Sequence, residues 1–244
     1  MALSIDGSAN AVKDSSKLFA SCSLTLPTAG DILVVVTVTE TTTNPPPTII
    51  SFDAIPGVSA MHALLGSPLT VQYTGFSDYL STEIWWGFCS GTLSGQAIKA
   101  NFSAAVDTAV IGAFGVTGFV GTAYQTNPWD DTPVTATGGN PTATAPTATL
   151  NTTSAHTMVL GMTGADLSMS STGSGFTRVL NQTDLGGTNE CGVSVEEQVF
   201  TTPQTGLVVN WGQTERAWMH VAAALAELGH GGTISDVPAI LIGL

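Results

Sequence analysis

Two stretches of this chain repeat one another at a fixed distance. Written one above the other, Ala97 to Phe102 (AIKANF) and Gly206 to Trp211 (GLVVNW) align with an offset of 109 residues, so that Ile98, Ala100 and Phe102 fall on Leu207, Val209 and Trp211. The same offset, without a gap, lays Thr108 to Phe114 (TAVIGAF) on Ala217 to Ala223 (AWMHVAA). Upstream, Thr25-Leu26 followed by Ile32 to Thr37 (ILVVVT) resembles Thr149-Leu150 followed by Met158 to Thr163 (MVLGMT) with a two-residue insertion, and Glu83 to Phe88 corresponds to Gly192 to Gln198. A recurring order of features is the mark of an internal duplication, and it restricts the fold to a unit that 244 residues can build twice.

The repeat also decides between helix and strand where periodicity does not. Ala217 to Leu228 (AWMHVAAALAEL) carries Trp218, Val221, Ala222 and Leu225 on one helical face. Its counterpart, Thr108 to Phe119 (TAVIGAFGVTGF), has three glycines and several β-branched residues, which oppose a helix and suit a buried strand. Both are therefore expected to be strands, with a helical turn near Ala224 to Glu227. Leu18, Ala20, Cys22, Leu24 and Leu26 alternate with Phe19, Ser21, Ser23 and Thr25, the period of a strand with two different faces, whereas Ile32 to Val36 is a continuous apolar run that reads as covered on both sides.

Seven or so short strands per half, punctuated by Gly and Pro, predict an all-β protein of two similar β-sandwich, jelly-roll-like lobes. Composition agrees: 36 Thr, 21 Ser and 27 Gly, with only 9% charged residues, favour strands and turns over helices. The expected boundaries are a first lobe over residues 1–120, linker or edge strands over 121–147, a second lobe over 148–229 and an extended apolar tail over 230–244. That tail follows the breaker Gly229 to Gly232 and carries Val237, Ile240, Leu241, Ile242 and Leu244, an apolar group that must dock on its own lobe or, as favoured here, on a neighbouring subunit.

Chemistry is sparse. Eighteen acidic against five basic residues leave a formal charge of −13, which repels nucleic acid and anionic lipid, so neither is an expected partner. His62, His156, His220 and His230 are not at metal-ligand spacing, and no nucleophile-elbow motif occurs. Glu196-Glu197 are neighbours on a strand, point to opposite faces and so form no glycosidase pair, and Asp130-Asp131 have no calcium-loop context. The expectation is no enzyme, no cofactor and no metal. Cys22, Cys89 and Cys191 read as buried apolar residues or as one bridge with a spare thiol. Of Trp85-Trp86, one ring must face the core and the other the outer face, so Trp85, Trp86 and the linker residue Trp129 are candidate surface aromatic contacts, for a sugar or for a protein. Met1 to Asn10 shows no basic and apolar export leader.

The order AGDILVVV, a Trp-containing strand, GQAIKANF, an apolar strand, a Pro/Thr/Ala spacer and a weaker second copy ending in AWMHVAAA resembles tandem β-sandwich surface and virion proteins of bacteria and bacteriophages over residues 20–228. The resemblance implies a non-enzymatic role. The expectation drawn from it is a virion structural protein, a capsid-decorating (cement) or tail-associated component, assembled in the host cytoplasm and released by lysis. Its partners would be its own copies, as a homo-oligomer such as a trimer, and a major capsid or tail protein. The alternative is an extracellular carbohydrate-binding or adhesive module.

Overall fold

The computed structural model describes residues 2–73, 78–118, 127–139, 142–184, 190–212, 214 and 217–227, without the side chains of 13–16. Among these residues there is no helix. The first half forms β1 (Ser4–Leu26), β2 (Ile32–Thr41), β3 (Ile49–Phe52), β4 (His62–Ala63), β5 (Leu69–Gln72), β6 (Tyr79–Phe88) and β7 (Leu93–Thr117). The second forms β8 (Val134–Gly138), β9 (Thr147–Leu150), β10 (Thr157–Ala165), β11 (Thr177–Thr183), β12 (Gly192–Phe200), β13 (Leu207–Asn210) and β14 (Trp218–Ala226). The protein is all-β, and its sheets are antiparallel.

Both halves pair their strands in one order. In the first, β2 runs between β6 and β7, β5 and β4 add to β6, and residues 4–14 of β1 add to β7. In the second, β10 runs between β12 and β14, β11 adds to β12, and β8 adds to β14. Residues 17–26 of β1 then continue along residues 93–106 of β7, as β9 pairs with β13. Val34 lies opposite Phe114 and Leu160 opposite Ala223, a register that agrees with the aligned repeats. Gly30 and His156 occupy matching places before β2 and β10, and both take left-handed backbone, with φ of 94° and 58°. Elsewhere the alignment slips. Leu150 stands in the place of Cys22, not Leu26, since each faces the corresponding residue, Leu207 or Ile98, and alternating Ser/Thr sequence fits several registers.

Stacking yields four layers. β1 and β7 form one long ribbon whose register shifts between Asp14 and Phe19 mark a corner, so the ribbon turns over and covers its own sheet. Leu24, Leu26 and Ile98 from the turned half meet Leu33, Val35 and Ile111 across a first core. The smaller β9-β13 pair covers the second sheet in the same sense, with Leu150 and Val209 on Val159 and Ala222. Between the two main sheets lies the largest core, where Val34, Val36 and Phe114 meet Met158, Leu160, Val195 and Val221. Each fully buried side chain of this kind contributes about 1.5–3 kcal/mol. The doubly covered reading of Ile32 to Val36 therefore stands, and it extends to all ten residues of β2.

One expectation needs correction, and one strand is longer than the alternation showed. The helical turn near Ala224 is absent: Leu225 and Ala226 remain in the ladder opposite Met158 and Thr157, because strand pairing supplies hydrogen bonds that a single helical turn would leave open. Residues 4–17, polar and without clear alternation, are also strand, since they form a half-exposed edge. Within 121–147, expected as linker or edge strands, β8 is indeed an edge strand of the second sheet.

The central sheets approach closely where β2 and β10 face each other. A Cβ on Gly164 would meet Thr82 Oγ1 and come within 2.7 Å of Val38 Cγ2, so this position tolerates only glycine without a shift. Gly164→Ala is expected to lower stability by about 1–3 kcal/mol, with partial recovery when Thr82→Ala removes the nearest atom. Denaturant unfolding of the single and double variants measures both; an unchanged midpoint for Gly164→Ala would refute the close approach.

Candidate functional site

Sheet alternation sends neighbouring aromatic residues of β6 in opposite directions, and both sides of this sheet are occupied. Trp85 packs on the first core with Phe52 edge-on, ring centroids 5.5 Å apart and planes at 64°. Its Nε1–H donates to Glu83 Oε2 at 3.3 Å, and Glu83 Oε1 accepts from the Ile49 backbone N–H at 2.6 Å. Glu83 thus ties β3 to the indole, while burial raises its pKa. Two open clefts share Trp85 as a wall. One, of about 250 Å³, also touches Thr48, Glu83 and Ser67. The other, of about 340 Å³, is bordered by Ser51, Phe52, Asp53 and Ser59. At that rim Asp53 accepts from Asn101 Nδ2 at 2.8 Å and pairs with Lys99 at 3.0 Å, and these two contacts lower its pKa. The Lys99 ammonium also lies 4.6 Å from the centroid of the Phe19 ring.

Trp86 points the other way, half-buried at the margin of the central core and 5.0 Å from the His62 ring. Opposite directions were predictable, but neither indole is left bare, because both faces are covered. Trp129 is not a surface aromatic: it is 7% exposed, bridges to Leu225 and packs in the central core. The tail residues Val237, Ile240, Leu241, Ile242 and Leu244 lie outside the described residues. Trp85 is therefore the candidate aromatic that borders open space, joined by Phe52, Glu83 and Asp53, which the sequence did not single out. The distance in sequence between Phe52 and Trp85 hides their contact.

Polar groups trapped by the stacking form a second feature. Glu40, at the end of β2, is 3% exposed and its Oε2 has no hydrogen-bond partner among the described residues. Burial, then the fields of Asp78, Asp107, Glu190 and Asp166, raise its pKa to about 8. Burial also raises Asp31, beside Asp6, to about 7, and Glu196, which accepts from Gly173 N–H at 2.8 Å, to about 7. Opposed to these, burial lowers His220 to about 4, with Nδ1 2.6 Å from Thr163 Oγ1. No three His, Cys, Asp or Glu side chains among the described residues are grouped to hold a metal ion. Asp130 instead receives the backbone N–H groups of Thr153 and Ser154 and the Thr153 hydroxyl. The three cysteines are free and buried, and burial raises Cys22 and Cys89 to about 12.

Compared with known protein families, curated proteins and solved structures, the chain has no match. Its function must be argued from its own surfaces.

The raised carboxyls have a thermodynamic consequence. Each keeps its proton in the fold up to a higher pH than in the unfolded chain, where it ionises from its ordinary range upward. The stability it allows is complete below that range and is lost as pH rises toward 7–8. His220 acts in reverse below its ordinary value, as the lowered Asp53 does at lower pH, while Glu83 and Glu197, also raised by burial, act with the three. The protein is expected to melt at a higher temperature at pH 5 than at pH 8.5, and Glu40→Gln to reduce that difference. Calorimetry across this range checks both, and a flat profile would exclude these buried acids as the cause.

Proposed function

We propose that the protein is a non-enzymatic structural component of a bacteriophage virion, a capsid-decorating or tail-associated protein that acts through contacts with its own copies and with a major capsid or tail protein. The observation that supports this most is the set of large apolar side chains left in water on the outer strands: Leu18 is 59% exposed, Ile50 65% and Val208 51%. Ile50 and Val208 belong to short strands, β3 paired with β7 and β13 paired with β9. Among the described residues each of these strands is paired on one side only, and a sheet edge beside apolar side chains has the chemistry to accept another chain. The formal charge of −13 keeps the isolated protein soluble and works against nucleic-acid partners.

The shared strand order supports reading the two halves as jelly-roll-like β-sandwich lobes from an internal duplication. A second correspondence supports it too. Asp6 accepts from the N–H and hydroxyl of Thr28, as Asp130 does from those of Thr153, so the same clasp holds the start of each half. Within this reading residues 1–120 form the first lobe. The second lobe gains β8 from the spacer, and the apolar tail over 230–244 is the assembly element.

Light scattering of the full chain is expected to give a homo-oligomer, such as a trimer, and deletion of residues 233–244 to abolish assembly while circular dichroism and melting of the lobes stay unchanged. A full-length monomer, or an oligomer and virion incorporation that survive the deletion, would overturn the assembly role.

A further inference from the structure

We propose that the paired clefts beside Trp85 bind an uncharged oligosaccharide, which gives the protein an adhesive site. The inference goes beyond the assembly role, although exposed Ile50 of β3 also lines the larger cleft, so at β3 the two surfaces adjoin. Three features carry it. The first is preorganisation: the indole is held by its inclined contact with Phe52, by Glu83 at its N–H and by the core it packs on, so little side-chain freedom remains to be lost on binding. With its only donor engaged, the ring contributes apolar aromatic surface to the lining of both clefts, which suits the apolar C–H face of a pyranose.

The second is the polar complement. Around the indole stand Glu83 and Asp53 with the hydroxyl residues Thr48, Ser51, Ser59 and Ser67, groups rich in acceptors and suited to sugar hydroxyl donors. The third is charge. Lys99, the cation beside this rim, is already paired with Asp53, and no Lys or Arg among the described residues lines either cleft, so an anionic group would meet no cation there. Uronates, sialylated glycans and phosphosugars are thereby disfavoured, which leaves neutral sugars. Clefts of about 250 and 340 Å³ that meet at one ring suit successive units of an oligosaccharide better than one large buried ligand.

The test follows the five indole N–H resonances of the full-length protein by nuclear magnetic resonance. Neutral oligomers of glucose, galactose, mannose and N-acetylglucosamine are titrated, with polygalacturonate and heparin as anionic controls. The Trp85 signal is assigned from its loss in Trp85→Phe. At least one neutral oligomer is expected to shift that signal saturably at about millimolar concentration. Ala60→Arg, which adds bulk on the exposed wall of the larger cleft without touching the core, should weaken that binding about tenfold or more. Because it leaves Trp85 in place, its melting temperature should match that of the unaltered chain. No shift with any neutral oligomer, binding of the anionic polymers alone, or an affinity unchanged in folded Ala60→Arg would each overturn the proposal. None of these outcomes alters the oligomer mass on which the assembly role rests.

Discussion

The covering of both main sheets on both faces governs the rest of this structure. A sheet with one wet face needs apolar residues only at alternate positions, but here alternate residues of β2 serve different cores, Val34 and Val36 the central one and Leu33 and Val35 the outer one. β10 does the same with Leu160 and Val159. Strands built this way become continuous apolar runs, and they are stable only when another sheet lies on each side. Either half alone would leave the central apolar face in water, so the halves depend on each other for more than proximity.

Covering a sheet twice also determines where polar atoms are trapped. The apolar run of β2 gives way to Thr37, Thr39, Glu40 and Thr41, yet all four remain buried. Removing a carboxylate from water disfavours its charged form, so Glu40 holds its proton in the fold. The acidic character of the chain is therefore not uniform. Solvated carboxylates such as Asp53 contribute the negative surface, while Glu40, Asp31 and Glu196 sit in surroundings that favour neutrality. The open clefts occur instead near β3, of four residues, and β4, of two. Strands so short cover only part of β6 and leave Trp85 a border with solvent.

Much of the architecture was legible because it is written in local patterns. Ile32 to Val36 announced a strand covered twice, and comparison with Thr108 to Phe119 assigned Trp218 to Ala226 to a strand despite its helical face. Residues 4–17 escaped notice because an exposed edge needs little apolar pattern. Trp129 was misplaced because its surroundings, Asn127-Pro128 and Asp130-Asp131, have the composition of a loop, while its ring enters a core built by distant strands. The candidate site was half legible: Trp85 stood out, but its partners Phe52 and Asp53 arrive through a different strand and loop.

Sequence alone determined the all-β class, the positions of most strands and the repeated order of features, since period-two alternation, β-branched runs and turn residues act over a few neighbours. Tertiary structure decided what each face touches. Trp85 and Trp86 carry the same side chain on adjacent residues, and only the layer stacked on each side makes one the wall of a cleft and the other the margin of a core. Likewise Gly164 is an ordinary strand residue by sequence and becomes irreplaceable when Thr82 packs against it. The reason is physical: backbone preference is local, whereas burial and its effects on charge depend on which surfaces meet after the whole chain has folded.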